Sequence, residues 1–228
     1  MDYTCHDIAQ MIDHSLLRPE LTEKDVREGC EIAKKYEVAT VCCRPCELAL
    51  VTQLLQDSDV KPTTVIGFPH GCNKTETKVF EAEQAIADGA LELDMVLNIG
   101  KLLGGDHDYV KKDIKAVVDV AHRHDVAVKV IFENYYLTDE QKKVACRLAE
   151  DAGVDFVKTS TGFADGGATL EDLQLMREHV SEKVQVKAAG GVRDLEMAVK
   201  VRQVGCTRFG ATRTEDIMEQ CYKANEQK

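Results

Sequence analysis

Two lysines stand inside apolar, strand-like stretches, Lys158 in "DFVKTSTGF" and Lys187 in "VQVKAAGG". Lysine is among the side chains least often fully buried, so each position needs a reason. The choices are a structural accident, an anchor for phosphate, or a pair of amines arranged for chemistry. A lysine in water has a pKa of about 10.4, which leaves almost no free amine at neutral pH to attack a carbonyl. Burial and a neighbouring cation both destabilise the ammonium form and lower that pKa. Two lysines near the carboxyl ends of adjacent strands meet this requirement, one as Schiff-base nucleophile and the other as the cation that keeps it neutral.

Side chains alternate faces along a strand, so the residues that would join these amines can be read by parity. In "ALELDMVLN", Leu91, Leu93, Met95 and Leu97 share one face, and Glu92, Asp94, Val96 and Asn98 the other. In "VKVIFEN", Val128, Val130 and Phe132 form the apolar face and Lys129, Ile131 and Glu133 oppose it. Lys158 shares its face with Phe156 and Ser160, Lys187 with Gln185 and Ala189. With Asp13 of "IDHS", one interior would hold at least three lysines and several acids. Such a charge load is foreign to a structural barrel core of Val, Ile and Leu, and a buried ion network kept only for register gains little once desolvation is counted. An imine also needs protons moved on the carbinolamine oxygen and the adjacent carbon, and inward-facing Asp94 with water suits that work.

Eight apolar runs supply the strands to carry these residues: "QMIDHSLL", "VATVCCRP", "PTTVIGFP", "ALELDMVLNIG", "VAVKVIFEN", "VDFVKTSTGF", "VQVKAAGG" and "CTRFGATR". Segments of helical period lie between them, with capping residues Thr22, Thr75, Thr138, Thr169, Asp194 and Thr214 at their starts. Thr138 with Gln141 has the pattern of a capping box. Val110, Ile114, Val117, Val118 and Ala121 make one apolar stripe after Asp106. Helices that end in glycine before a strand recur in "IADGALEL", "AEDAGVDF" and "VRQVGCTRF". The alternation predicts a (β/α)8 TIM barrel of one domain over 1–228, opened by a short helix around Tyr3 to Met11. A doubly wound open sheet fits less well, because the glycine-rich first turn it often carries is absent.

The chain has 228 residues, 44% hydrophobic and 30% charged, with a formal net charge of −11. That excess of acid, with no basic run, argues against nucleic acid or an anionic membrane as partner. No run of apolar residues is long enough to span a bilayer. Nine cysteines, an odd number in a long chain without a signal-peptide pattern, predict reduced thiols and a cytoplasmic location. Cys43 and Cys46 form a lone Cys-x-x-Cys, with no second pair or histidine cluster to complete a zinc site. The turns "STGF", "AAGGVR" and "RFGATR" are ordinary one by one, but grouped beside two lysines they favour a phosphorylated substrate held by backbone N–H groups.

"IDHSLL", "TVIGFPHG", "LELDMVLNIG", "FVKTSTGF" and "VKAAGGVR", in this order and over nearly the whole length, make the chain resemble the deoxyribose-phosphate aldolases. The resemblance implies a class I aldolase on a TIM barrel that reversibly cleaves 2-deoxy-D-ribose 5-phosphate to acetaldehyde and D-glyceraldehyde 3-phosphate, with no metal and no cofactor. It implies Lys158 as the Schiff-base lysine, Lys187 as the amine that depresses its pKa, and Asp94 as the proton-relay acid. Thr161, Gly162, Gly190, Gly191, Val192, Arg193, Gly210, Ala211 and Thr212 match the phosphate and substrate positions. Asp13, Ser15 and Cys42 match residues lining the pocket, Cys42 as a pocket thiol. A homo-oligomer, dimer or tetramer, is also implied.

The chain departs from the family pattern at three places. Asn134 and Tyr135 stand where small residues are usual, so Tyr135 is expected to narrow the aldehyde pocket or shift strand-five packing. "KAAGG" and "GAT" replace sequences richer in hydroxyls, which bears on phosphate affinity. Tyr222 in the polar tail "EQCYKANEQK" is expected on the last helix, outside the site. Two other readings remain open: a Schiff-base aldolase for a related phosphosugar, and an inactive sugar-phosphate-binding protein. The intact charge triad disfavours the second.

Overall fold

The computed structural model describes residues 3–226; the terminal residues 1, 2, 227 and 228 of the expected domain lie outside the described residues. Eight parallel strands close into a barrel in chain order, β1 Ile12–Leu16, β2 Thr40–Cys43, β3 Lys61–Ile66, β4 Glu92–Val96, β5 Ala127–Ile131, β6 Phe156–Lys158, β7 Gln185–Ala188 and β8 Arg208–Ala211. Closure is made by β1 and β8, with Ile12 opposite Phe209 and Asp13 opposite Gly210. Helix α1 spans Cys5–Ala9, and the strands are followed in turn by α2 Glu23–Lys35, α3 Leu48–Leu55, α4 Thr75–Ala87, the pair α5 Ile99–Leu103 and α6 His107–His122, α7 Asp139–Ala152, α8 Leu170–Glu178, α9 Leu195–Gln203 and α10 Thr214–Glu226. The chain is a (β/α)8 TIM barrel with a short N-terminal helix. No helix among the described residues is long and apolar enough to cross a membrane.

The apolar layer lies between barrel and helices. Leu93, Met95, Val128, Val130, Val157 and Val186, the outward parity of their strands, are fully buried. They share one core with the stripe of α6, which packs on β5 and where Val110, Ile114, Val117 and Ala121 are equally buried. Burying such side chains contributes roughly 1.5–3 kcal/mol each, so the outer layer carries the fold and leaves the barrel interior free for charge.

Local signals hold with two exceptions. Thr22 and Thr138 make capping boxes with Asp25 and Gln141, and Thr169 and Asp194 cap α8 and α9. Thr75 and Thr214 do not cap: each is the first helical residue. Their hydroxyls bond elsewhere, Thr75 donating to Asp113 Oδ1 at 2.8 Å and Thr214 meeting His14 Nδ1 at 2.8 Å. Long-range partners have won over the helix end.

The expectation that every cysteine is a thiol needs correction. Cys5 and Cys221 form a disulfide with Cα atoms 5.7 Å apart, joining α1 to α10 across 216 residues. Barrel closure brings those helices together, which no spacing in the chain reveals. The other seven cysteines are free.

Candidate active site

Strand register builds the site from the bottom of the barrel upward. Asp94 on β4 is opposite Lys129 on β5, Ile131 is opposite Lys158 on β6, and Lys158 is opposite Lys187 on β7. Inward parity therefore gathers Asp13, Glu92, Asp94, Lys129, Lys158 and Lys187, all buried, as read from the sequence. Asp94 is the hub. Its Oδ1 accepts from Lys129 Nζ at 2.9 Å, and its Oδ2 accepts from Lys158 Nζ at 2.6 Å and Lys187 Nζ at 2.8 Å.

A lower layer completes the network. Lys129 pairs with Glu92 at 2.5 Å, and Lys187 pairs with Asp13. Arg208 at the start of β8 donates to Asp13 at 2.8 Å and, through both terminal nitrogens, to Glu92 at 3.2 and 3.1 Å. The sequence reading missed Arg208. Its signal was present, because it shares parity with Gly210 and Thr212, but that strand was read for its glycine turn.

Four basic groups face three acids in this cluster, so it holds one base more than the acids can pair. Local fields select Lys158. Burial lowers its pKa and the Lys187 ammonium lowers it further, against the opposing pull of Asp94. Burial works against the Lys187 charge too, but Asp13 and Asp94 outweigh it and raise the pKa. Asp94, despite burial, is held well below the usual carboxylate range by Lys129, Lys158 and Lys187. Lys158 is thus the amine whose pKa is lowered, beside a cation and an anion whose charges the cluster reinforces.

Above this cluster lies a cavity of about 520 Å³ at the carboxyl ends of the strands. Its lining includes Lys158 and Lys187, and every other site residue read from the sequence except Asp94: Asp13, Ser15, Cys42, Thr161, Gly162, Gly190, Gly191, Val192, Arg193, Gly210, Ala211 and Thr212. Asp94 is fully buried beneath the two lysines. Leu17, Arg18 and Phe163 also line the cavity and were not anticipated. Burial pushes the Cys42 thiol up to about 11, so it is a neutral wall of the cavity rather than a nucleophile.

The glycine-rich side is shaped by backbone proximity. A Cβ on Gly167 would sit 2.7 Å from Gly190 O, so the loop after β6 and the turn after β7 meet only because neither carries a side chain there. Gly190 and Gly191 both have positive φ, 76° and 100°. Arg193 is exposed at the cavity rim and makes no ion pair among the described residues.

Of the two expectations for Tyr135, narrowing of the pocket is not met, since it does not line this cavity. Glu133 turns left-handed after β5 and sends the chain into a 3-10 turn, Asn134–Tyr136. Tyr135 then lies over Gly166, edge-on to Tyr136 and half-exposed. Asn134 donates to Asp172 at 3.2 Å on α8. Tyr222 lies on α10, 6.3 Å from the ring of Tyr36, outside the site as expected. A larger groove, about 860 Å³, opens near the amino-terminal ends of β1 and β8 around Met11 and Thr207, but no converging buried charges face it.

Comparison with known proteins gives the same direction. The model of the DeoC/LacD family of aldolases matches residues 8–212. A deoxyribose-phosphate aldolase of Rhodopirellula baltica is 50% identical over 222 residues, 97% of this chain and 92% of the relative. One from a Thermoanaerobacter species is 52% identical over 218 residues, 95% of this chain and 98% of the relative. The tetrameric deoxyribose phosphate aldolase of Aeropyrum pernix superposes with a TM-score of 0.89 at 30% identity, over 97% of this chain and 93% of its own.

Proposed function

The chain belongs to the DeoC/LacD aldolase family, and from that membership we propose that, as one domain over 1–228, it reversibly cleaves 2-deoxy-D-ribose 5-phosphate to acetaldehyde and D-glyceraldehyde 3-phosphate. The observation that carries the reading is the meeting of Lys158 and Lys187 at one oxygen of Asp94. A neutral Lys158 attacks the C1 aldehyde of the open-chain sugar, and water leaves as the imine forms. The protonated imine draws the electrons of the C2–C3 bond as the C3 hydroxyl gives up its proton, releasing glyceraldehyde 3-phosphate and leaving an enamine. Protonation at C2 and hydrolysis then release acetaldehyde and restore the amine.

Asp94 is anionic, so it serves as acceptor for these protons through water, and the Lys187 ammonium is the donor that shares its Oδ2. Lys187 has a second task before the reaction starts, holding Lys158 neutral. Leu17 and Cys42 give the two-carbon end an apolar wall. Gly162, Gly190, Gly191, Val192, Arg193 and Gly210 to Thr212 hold the phosphate, with Arg193 supplying a cation that has no ion pair among the described residues. Asp13 and Ser15 complete the lining. A homo-oligomer in the cytoplasm, with seven free thiols, accompanies this reading.

Borohydride reduction in the presence of acetaldehyde, followed by peptide mass mapping, tests it. A stable two-carbon adduct on the Lys158 peptide is the expected result. Labelling elsewhere, or none on folded protein, would sink the proposal. Cleavage of a related phosphosugar in preference to 2-deoxyribose 5-phosphate would move the substrate while keeping the imine.

A further inference from the structure

Glu133 is a buried acid beside the site that the reaction above leaves without a task. It is 2% exposed and follows β5 in a left-handed backbone, φ 57° and ψ 66°. That conformation is uncommon for a residue with a Cβ and persists where the surroundings over-determine it. Both flanks are pinned to the end of β6: Phe132 N–H donates to Lys158 O at 3.0 Å, and Asn134 N–H to Thr159 O at 2.9 Å.

From this tethered bend the carboxylate reaches Thr161. The Thr161 N–H donates to both carboxylate oxygens at 3.3 Å, and its hydroxyl donates to Oε2. The same hydroxyl oxygen accepts Phe163 N–H at 3.0 Å. One carboxylate thus fixes the main chain and side chain of the turn Thr161, Gly162 and Phe163, and all three residues line the cavity beside Lys158. A Cβ on Gly162 would meet nothing within 4 Å, so no packing at that residue restrains the turn. Glu133 itself does not line the cavity; it borders a neighbouring hollow of about 320 Å³ behind the same turn.

We propose that Glu133 is a positioning residue for the phosphate side of the site: it clamps the turn from Thr161 to Phe163 from behind, so that the Gly162 backbone meets the substrate phosphate. This role rests on the aldolase reading above. It separates binding of the phosphorylated end from the chemistry at Lys158, because the clamp acts on the turn that follows the lysine and not on the amine.

Glu133→Gln tests the role through two measurements on the full chain: steady-state cleavage of 2-deoxyribose 5-phosphate, and borohydride trapping with acetaldehyde, which carries no phosphate. Glutamine keeps one acceptor but turns an amide N–H2 toward the Thr161 hydroxyl. KM should rise on the order of tenfold, the loss of about one charge-assisted hydrogen bond, with kcat changed by less than about threefold and the trapping rate by less than about twofold. Thr161→Val should raise KM as well, and the double variant should be no worse than the more impaired single one, since both cut the same link. A KM change under about twofold, additive effects in the double variant, or a fall in kcat, trapping and melting temperature together overturns the role. A parent protein that forms no adduct overturns the aldolase reading and this role with it.

Discussion

Lys158 and Lys187 are direct register partners across β6 and β7, and their amine nitrogens meet at the same carboxylate oxygen, Oδ2 of Asp94, at 2.6 and 2.8 Å. A pair of cations so placed cannot both remain charged at low cost. The asymmetry lies in the second acid: Lys187 also pairs with Asp13, whereas Lys158 has Asp94 alone. The distribution of carboxylates around two otherwise similar amines therefore sets which of them has the lowered pKa.

Removing the cation should return Lys158 to its ammonium form. In Lys187→Leu, the Asp94 charge acts on Lys158 without the opposing Lys187 ammonium and the Lys158 pKa rises. Adduct formation with acetaldehyde at neutral pH should slow by roughly 10²-fold or more and recover as pH is raised toward the ordinary lysine range of about 10.4. The rate of borohydride trapping measured from pH 6 to 10 checks this (roughly the window in which a depressed lysine titrates). An unchanged rate at neutral pH in folded protein would refute the role.

Asp94→Asn should act on both activity and stability. Three lysines lose their shared anion, and breaking a buried ion pair from one side costs roughly 3–5 kcal/mol. Loss of the proton acceptor should lower kcat by roughly 10²- to 10⁴-fold. Denaturant midpoints and kcat on the same preparations separate the two effects. Near-parental turnover would exclude Asp94 from proton transfer.

Parity made the interior charges legible because one alternation rule governs every strand, and it found Asp94, Lys129, Lys158 and Lys187 without knowledge of the closed barrel. What it could not supply was which strands meet. The pairing of Arg208 with Asp13 and Glu92 depends on β8 closing against β1, and the Cys5–Cys221 disulfide on the packing of the two terminal helices. The expectation that Tyr135 narrows the pocket rests on its departure from the family pattern, and a family pattern does not show the left-handed Glu133, which ends the strand alternation and turns the tyrosine outward. The clamp of Glu133 on Thr161 was hidden by the same bend.

His14 gives the fold a pH dependence of defined sign. Burial lowers its pKa to about 4 from an ordinary value of 6.5, with Thr214 as its hydrogen-bond partner. Between those values the unfolded chain binds the proton and the folded chain does not, so stability rises with pH across this window and is lost as pH falls through it. The single group accounts for roughly 2 kcal/mol between pH 7 and pH 5. Denaturation midpoints of the parent at those two pH values should differ accordingly, and His14→Asn should flatten that difference. An equal slope in the variant would assign the dependence to other groups.

Lys78 and Asp113 offer a test of how the site's scaffold is held. Both are fully buried, 2.6 Å apart, with Lys78 Nζ also donating to Val96 O at 2.9 Å at the end of β4. The Lys78 stem packs under Gly67, where an added Cβ would meet it at 2.8 Å, so the pair ties α4 and α6 to the loop after β3. Lys78→Met should cost roughly 3–5 kcal/mol, because it leaves Asp113 buried and uncompensated. Adding Asp113→Leu removes the stranded charge and should restore much of that loss, although the Thr75 hydroxyl then loses its acceptor. Urea midpoints of the two single variants and the double variant measure the coupling. Simple additivity would mean that the two groups act independently, against the contact seen between them.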